Sequence, residues 1–545
     1  MRGPLTRLAR RPALLALLFF CLLTVAHTWP LATNPARLAR VDSGDMLLNT
    51  WIMGWVAHQL PRDPLHLFDA NIFWPDRLTL AYSEHLLLQT VLTLPVRWLG
   101  GSPVLAHNLA MLAGFALTGW AFCLLGRRWT GSWAAGLVAG SLATFNTHTL
   151  TRLAHVQAQH LEFVALALFA LDRLLVERRV RDAVTLGLAV TLQGLASIYL
   201  LVFTGAGMAW AALARLEIWV RPRRLRLAGL LALAVAVAVI TSLPVILPYY
   251  RLRAEMGFQR SPQDARIHSA SWADFAATGA RVHFDTWSAP YFKRARSAAF
   301  PGVVALALAA VALVQGRHWR DGRFRMLVAM TIGGAVMSVM AHWSGYPWLY
   351  EHVPLLQGIR APSRSVVLGL LGIAVIAGYG VGELEARWAG RRHWGVVAAL
   401  LVALVNLEAS RAPLYYPTYE GVPRVYDVLR DEKGAVIAEL PLWSFRQAAD
   451  NAPYLLNATR HYRPMLNGYS GIIPPSYQRS VEAVQGFPDA RSLAALHALG
   501  VTHVVVHAAD FSRGYGAEVL GRIQRHPALI LVAEQGDIQI YRLRD

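Results

Sequence analysis

Long apolar runs, separated by short blocks of arginine, dominate this chain and limit what it can fold into. Several of the runs approach the roughly 20 residues that an α-helix needs to cross a bilayer. Of the 545 residues, 55% are hydrophobic and 16% are charged, whereas soluble proteins carry about 25% charged residues. The sequence therefore predicts a polytopic α-helical membrane protein with about 11–13 spans.

The candidate spans follow the apolar runs in chain order. They are 12–30, 85–99, 103–126, 129–145, 161–176, 182–196, 199–216, 227–247, 300–315, 326–342, 363–384 and 394–409. Arg127 and Arg128 look cytoplasmic but fall on the outer side in this count. The number of crossings between residues 85 and 145 therefore stays open.

The formal net charge of +19 could suggest a nucleic-acid partner, but the arrangement of the charges argues against one. The arginines form short blocks between apolar runs, which is typical of cytoplasmic loops, and a nucleic-acid-binding protein would concentrate them on one face. Blocks at 2–11, 178–181, 221–226, 317–325 and 387–392 are expected inside. The N-terminus is then cytoplasmic, and the segments 31–84, 146–160, 248–299 and 343–362 form outer loops.

The composition changes near the end of the chain. Gly434 to Leu442 and Val501 to Val506 have the pattern of strands, and two further short strands flank a turn at Gln535-Gly536. We expect residues 1–412 to form the membrane module and residues 418–545 to form a small soluble α/β domain outside the membrane.

Two carboxylates, Asp42 and Asp45, follow the first apolar run. Ionisable groups near lipid are often functional, and a carboxylate here could accept a proton from an attacking hydroxyl or help to hold a divalent metal ion. The alternative is structural, because Asp42 or Ser43 could cap a helix over 45–60, with Asp45 in its first turn. That helix, with Trp51 and Trp55 on its apolar side, is expected to lie flat at the interface.

Two further polar groups are candidates for substrate binding. Glu84 and His85 enter the start of an apolar run, where they either face the interior of the bundle or anchor the helix at the headgroups. In the polar stretch 146–160, His148, Arg152 and His155 are spaced as on one helical face. This stretch suits sugar hydroxyls or phosphate, although an ordinary hydrated loop remains the alternative.

Arg360 and Arg364 lie at the outer end of a span, in the segment Gly358 to Arg364. Two guanidinium groups beside a helix N-terminus can bind phosphate through paired donors. They could instead extend to the phosphates of the lipid headgroups. Their outer position runs against the positive-inside tendency, which favours the functional interpretation.

These motifs together resemble the GT-C superfamily of membrane glycosyltransferases. The resemblance is carried by Gly44-Asp45 after the first helix, Phe73-Trp74-Pro75, Glu84, and Arg360 to Arg364. In the tail it is carried by Glu439-Leu440-Pro441 and by Asn467-Gly468-Tyr469-Ser470-Gly471, which look like uncharacterised bacterial members.

The resemblance implies a glycosyltransferase of the bacterial inner membrane. Its donor would be a polyprenyl-phosphate-linked sugar, and its acceptor would be the hydroxyl of a glycan, lipid or protein on the extracytoplasmic side. Asp45, or else Asp42, would be the catalytic base. Glu84, His85, Arg152, His155, Arg360 and Arg364 would bind substrate. The family often has adjacent acidic pairs where this chain has Asp-x-x-Asp, so metal dependence stays open.

Two other functions remain open at this point. A transporter or flippase for lipids or saccharides could also place arginine and aspartate at a polar cavity, although it would be expected to show charged groups at mid-membrane. A non-catalytic membrane protein that presents its tail for assembly would use Asp42 and Asp45 only as a helix cap.

Overall fold

The computed structural model describes residues 11–219, 224–257, 261–388 and 390–544. The arginines at positions 2, 7, 10, 221 and 223, which contributed to the expected orientation, lie outside these residues. The expected orientation of the termini stays a prediction.

Each of the twelve candidate spans falls on a helix. In chain order these helices, together with one helix inside the first outer segment (α2), are α1 (Pro12–His27), α2 (Gly44–Gln59), α3 (Leu87–Trp98), α4 (Pro103–Thr130), α5 (Trp133–Thr144), α6 (Glu162–Glu177), α7 (Val180–Ala196), α8 (Ile198–Leu213), α9 (Arg224–Met256), α10 (Val303–Leu313), α11 (Gly322–Val339), α12 (Val366–Trp388) and α13 (Trp394–Ala409). Shorter helical turns, such as Thr147–Leu150 and Pro362–Ser365, connect them.

Four helices are long and apolar enough to cross a membrane within the described part of the chain. They are Pro103–Thr130, Arg224–Met256, Gly322–His342 and Pro362–Trp388. Four shorter apolar helices add to them: α1, α8, α10 and α13. By contrast, α3 has 12 residues with Pro95 inside, and it rises about 18 Å against a hydrocarbon core of about 30 Å. The total number of crossings stays a prediction.

The chain divides into two compact units. The first contains residues up to Thr33, Leu109–Ile246 and Arg253–Tyr415. Its apolar core is shared by α4 to α13. On α6, the buried Asp172 accepts hydrogen bonds from Arg215 (3.0 Å) and Arg323 (2.8 Å). Arg323 comes from the block 317–325 that is expected to be cytoplasmic, and Arg215 lies at the end of the candidate span 199–216.

The second unit contains Asn34–Asn108, Leu247–Leu252 and Tyr416–Asp545. Its C-terminal part holds α14 (Ala452–Ala458), α15 (Pro475–Val484), α16 (Ala490–Ala498), α17 (Ala508–Tyr515) and α18 (Ala517–Arg525), and four strands: β1 (Ile437–Leu440), β2 (His503–His507), β3 (Leu529–Gln535) and β4 (Ile538–Leu543).

The four strands form one sheet in the order β1-β2-β4-β3. β1 and β2 are parallel, with Ile437 opposite His503, and the other pairs are antiparallel. β3 and β4 form the hairpin predicted at Gln535-Gly536. The small C-terminal sheet predicted from the sequence is therefore present, and it shares its compact unit with the first outer segment.

The expectation that the helix after Asp42 lies flat at the interface is wrong. All residues from Met46 to Ala57 are buried in α2, so the helix has no exposed face along these three turns. One side packs against α14, and Tyr462 Oη, just beyond that helix, donates to the carbonyl of Gly54 (3.2 Å). Trp51 and Trp55 are fixed inside the unit by hydrogen bonds from their indole N–H groups to Asn71 (3.2 Å) and Leu67 (2.9 Å).

Candidate active site

Asp42 is held by a neighbouring arginine. Its two carboxylate oxygens accept hydrogen bonds from Arg40 Nε (2.9 Å) and Nη2 (3.1 Å). This hydrogen bonding to the guanidinium lowers the pKa of Asp42. A carboxylate that is stabilised in its charged form is a weaker proton acceptor, so the geometry disfavours Asp42 as the base.

Asp45 lies three residues further on, in the first turn of α2, and is half-buried. Its Oδ1 accepts a hydrogen bond of 2.9 Å from the phenol of Tyr469. Ser43, at the N-cap position, makes no side-chain cap hydrogen bond, so the structural alternative of a Ser43 cap finds no support. Asp45 therefore has a position at the positive end of the helix dipole and a donor that fixes its orientation.

The segment Asn467–Gly471 brings Tyr469 to this position. The side chain of Asn467 pairs with both backbone groups of Glu439 in β1, accepting from its N–H (2.7 Å) and donating to its carbonyl (2.8 Å). A Cβ on Gly468 would lie 2.4 Å from the ring of Phe73, and one on Gly471 would lie 2.8 Å from the backbone oxygen of Tyr82. Only glycine allows such close approaches, so the two glycines let the segment pack tightly against Phe73 and Tyr82.

Glu84 and His85 lie in the same compact unit as Asp45 and are both buried, at 8% and 0% exposure. The Nδ1 atom of His85 accepts a hydrogen bond from the N–H of Leu87 (3.1 Å) at the start of α3. The carbonyl of Ser83, next to Glu84, accepts a hydrogen bond from Tyr249 Oη (2.8 Å). His85 thus anchors the start of α3, which is one of the two alternatives that the sequence left open. Because its side chain is buried, it does not face the lipid headgroups.

The residues do not fit the divalent metal ion that Asp42 and Asp45 could have held. Asp42 is paired with Arg40, and within the described ranges no group of three or more His, Cys, Asp or Glu side chains could hold a metal ion.

A second group of candidate residues lies in the first compact unit. Arg152, His155, Arg364 and Tyr199 line one small cavity of about 30 Å³. The prediction that His148, Arg152 and His155 share a helical face is wrong, because the short helix ends at Leu150. Turns rather than a helix therefore bring these side chains together.

Arg152 is anchored by its surroundings. Its Nη2 donates to Ser297 Oγ (2.6 Å) and to the carbonyl of Arg296 (3.2 Å). Ser297 Oγ in turn donates to Ser363 Oγ (3.2 Å), next to Arg364. Hydroxyl groups therefore connect two of the cationic segments that the sequence singled out separately.

Tyr199 organises the other side of the cavity. The guanidinium of Arg364 lies over its ring, 5.0 Å from the centroid, and its hydroxyl accepts a hydrogen bond from the backbone N–H of Arg360 (3.1 Å). The side chain of Arg360 is exposed. The structure thus brings Arg364 together with Arg152 and His155, and it uses the backbone of Arg360 to position the turn.

The cavity is electropositive. Burial, followed by the charges of Arg152 and Arg364, holds the pKa of His148 well below its ordinary value. His148 is 4% exposed, and its Nδ1 has no hydrogen-bond partner among the described residues. A neutral buried imidazole beside two guanidinium groups forms a polar pocket that favours an anion.

Sequence reasoning gave no role to Tyr469, Tyr199 or Ser297. Tyr469 stood inside the Asn467–Gly471 motif, and its signal was an aromatic residue flanked by glycines. Tyr199 is the second residue of α8, after the helix break at Ser197, but an aromatic residue at such a place is common in membrane proteins. Ser297 has no sequence signal.

No protein-family model matches the chain, and no curated protein matches it. Among solved structures, the chain is similar to the arabinofuranosyltransferase AftD from Mycobacteria, with a TM-score of 0.61 and 16% sequence identity over 98% of this chain and 40% of that chain. ArnT from Cupriavidus metallidurans in the apo state gives a TM-score of 0.47 and 13% identity over 90% and 93% of the two chains. The chain spans about 40% of the length of AftD.

The similarity to AftD extends over nearly the whole of this chain, and at its low sequence identity it concerns the fold. The described residues form a helical membrane module and a small C-terminal sheet. The predicted helical membrane fold with a small C-terminal sheet is therefore confirmed, and this fold is similar to that of AftD.

Proposed function

We propose that this protein is a membrane glycosyltransferase that moves a sugar from a polyprenyl-phosphate donor to an acceptor hydroxyl on the extracytoplasmic side. The observation that carries the proposal is the contrast between the two aspartates. Asp42 is paired with Arg40, whereas Asp45 is oriented by the phenol of Tyr469. The fold shared with AftD, an arabinofuranosyltransferase, supports the same general kind of activity.

In the proposed reaction, Asp45 accepts the proton of the acceptor hydroxyl as its oxygen attacks the anomeric carbon. The bond between that carbon and the phosphate oxygen breaks, and the electron pair leaves with the lipid phosphate. General base assistance of this kind contributes roughly a hundredfold to ten-thousandfold in rate. Glu84 and His85 are proposed to help shape the binding site for substrate.

Arg152 and Arg364 are proposed to bind the lipid phosphate and to stabilise the charge that it gains. Guanidinium groups held in place by neighbouring side chains stabilise a leaving anion without reorganisation. The present cavity of about 30 Å³ is on the scale of a water molecule. Phosphate binding therefore requires side chains that line this cavity to move apart.

A direct test follows the sugar. The full chain in lipid nanodiscs is incubated with a panel of radiolabelled polyprenyl-phosphate sugars and a membrane extract as the source of acceptors. We expect label to appear in an acceptor fraction, with release of the lipid phosphate. In sealed proteoliposomes, where the two leaflets can be distinguished, movement of intact labelled lipid between leaflets without release of lipid phosphate would instead favour a flippase.

The phosphate role of Arg364 has its own test. Arg364→Ala is expected to weaken binding of polyprenyl phosphate at least tenfold, because a charge-assisted hydrogen bond contributes about 1.5–3 kcal/mol. Arg294→Ala, at an exposed position in an expected outer loop, is the matched control and should leave the Kd unchanged. Equal Kd values for wild type and Arg364→Ala would remove Arg364 from the phosphate site.

A further inference from the structure

The tail contains a second cavity, of about 420 Å³, at one end of its sheet. It is lined by the turn before β1, the segment entering β2, and the last residues of β4. Its volume falls in the range of small-molecule sites, about 300–1,000 Å³. The lining includes none of the residues assigned above to glycosyl transfer.

The charge of the lining favours an anion. Lys433, Arg542 and Arg544 contribute permanent positive charges, and Glu432 contributes one negative charge, among the lining residues that the structure describes. These three cations come from two separate segments of the chain. Concave sites with one predominant sign of charge concentrate ligands of the opposite sign.

The sheet register places a buried histidine beside one of these cations. His503 on β2 is directly opposite Arg542 on β4, and residues paired in this way point to the same face. His503 is 3% exposed. Its Nδ1 bonds Thr502 Oγ1 (2.8 Å), while its buried Nε2 has no partner among the described residues. A buried polar atom without a partner is rare and calls for an explanation.

We propose that this cavity binds a sugar that carries a carboxylate or phosphate group. The anionic group is bound by Arg542 and Lys433, while the imidazole of His503 serves a hydroxyl group of the sugar. The described lining contains no Trp, Tyr or Phe, so stacking on an aromatic ring, which would suit a neutral sugar, contributes nothing. This binding site goes beyond the proposed transfer reaction and does not depend on it.

The test measures binding by titration calorimetry with the full chain in nanodiscs. The probes are trigalacturonic acid, its neutral methyl ester, glucose 1-phosphate and inorganic phosphate. We expect at least one of the two anionic sugars to bind more tightly than the methyl ester and inorganic phosphate. The difference in affinity between trigalacturonic acid and glucose 1-phosphate then identifies whether the anionic group is a carboxylate or a phosphate.

Two double variants of equal charge separate this site from general electrostatics. The double variant Lys433→Ala, Arg542→Ala should bind the anionic sugar at least tenfold more weakly, which is the loss of affinity expected for one charge-assisted hydrogen bond. Arg522→Ala with Arg525→Ala removes two arginines of α18 outside the cavity and should have little effect. His503→Ala should also weaken binding. Size-exclusion profiles and thermal melting establish that the variants are folded.

Three results would overturn the proposal. One is that neither anionic sugar binds at millimolar concentration. Another is that the methyl ester or inorganic phosphate binds as tightly as the anionic sugars. The third is that both double variants lose affinity equally. Transfer activity plays no part in these readouts, so the binding site and the proposed enzyme can fail separately.

Discussion

At the residue scale, two aspartates that look equivalent in sequence have different partners. Asp42 is half-exposed and bonded by the guanidinium of Arg40, whereas Asp45 receives the phenol of Tyr469. Both interactions are hydrogen bonds to a carboxylate, but only the first brings a full positive charge. This difference in charge is why Asp45 is the better candidate for the base.

Tyr469 should affect the rate through its hydroxyl alone. Tyr469→Phe removes the donor to Asp45 and keeps the ring that lies against Gly44. We expect a loss of about tenfold or more in kcat, because hydrogen bonds to charged groups contribute about 1.5–3 kcal/mol. Tyr250→Phe, which removes an exposed phenol, is the control. Wild-type turnover by Tyr469→Phe would show that the hydrogen bond has no part in the reaction.

The sequence predicted which residue types form the candidate site better than it predicted how they are arranged. Asp45 and Arg364 could be selected because charged residues at the edges of apolar runs are uncommon. Their partners Tyr469 and Tyr199 could not be selected, since each lies far along the chain from the residue it contacts. The polar stretch 146–160 indicates Arg152 and His155 correctly as neighbours of a polar cavity, but turns rather than the expected helical face place them there.

At the element scale, the segment Asn467–Gly471 links the tail sheet to the base. Asn467 ties it to β1, and its glycines pack closely against Phe73 and Tyr82. The tail therefore contributes to the surroundings of Asp45. Its sequence signal was a short motif of turn residues, which indicates a loop but not the surface against which the loop lies.

A single methyl group should disturb this segment. Gly468→Ala would place a Cβ 2.4 Å from the ring of Phe73, so the backbone or the ring must shift and Tyr469 should move away from Asp45. We expect a marked loss of transfer activity in a protein that remains folded. The control is Gly205→Ala, where a Cβ would meet no atom within 4 Å. Full activity of Gly468→Ala would mean that the segment tolerates displacement.

The helix α2 shows where element prediction failed. Its start near Asp45 was predicted correctly, and its tryptophans suggested an interfacial helix. The structure buries every residue from Met46 to Ala57. The elements that cover it are the segment around Leu67 and Asn71, α3, and also α14, far later in the chain, so the sequence of the helix itself could not reveal its burial.

At the scale of the whole molecule, hydrophobic length and charge predicted the membrane class and the approximate positions of the helices. The tail sheet could be predicted from β-branched runs such as Val504 to Val506. The grouping of Asn34–Asn108 with the tail in one compact unit could not be predicted, because it depends on interactions between distant segments. Similarly, helix lengths alone do not determine how many helices cross the membrane.

The expected orientation places the tail outside and the N-terminus in the cytoplasm. An alkaline phosphatase fused after residue 545 should therefore be active in bacterial cells, because that enzyme folds only in an oxidising compartment. The same reporter inserted in the arginine-rich segment 387–392 should be inactive. The reverse pattern would place the tail and the candidate base in the cytoplasm, and it would contradict transfer on the extracytoplasmic side.

Asp45 is proposed to accept the proton of the acceptor hydroxyl. Initial rates of sugar transfer for Asp45→Asn and Asp42→Asn, each purified in nanodiscs with matched thermal melting, test this role. We predict that Asp45→Asn loses roughly a hundredfold to ten-thousandfold in rate, while Asp42→Asn stays near wild type. An Asp45→Asn protein that transfers sugar at the wild-type rate would contradict the account.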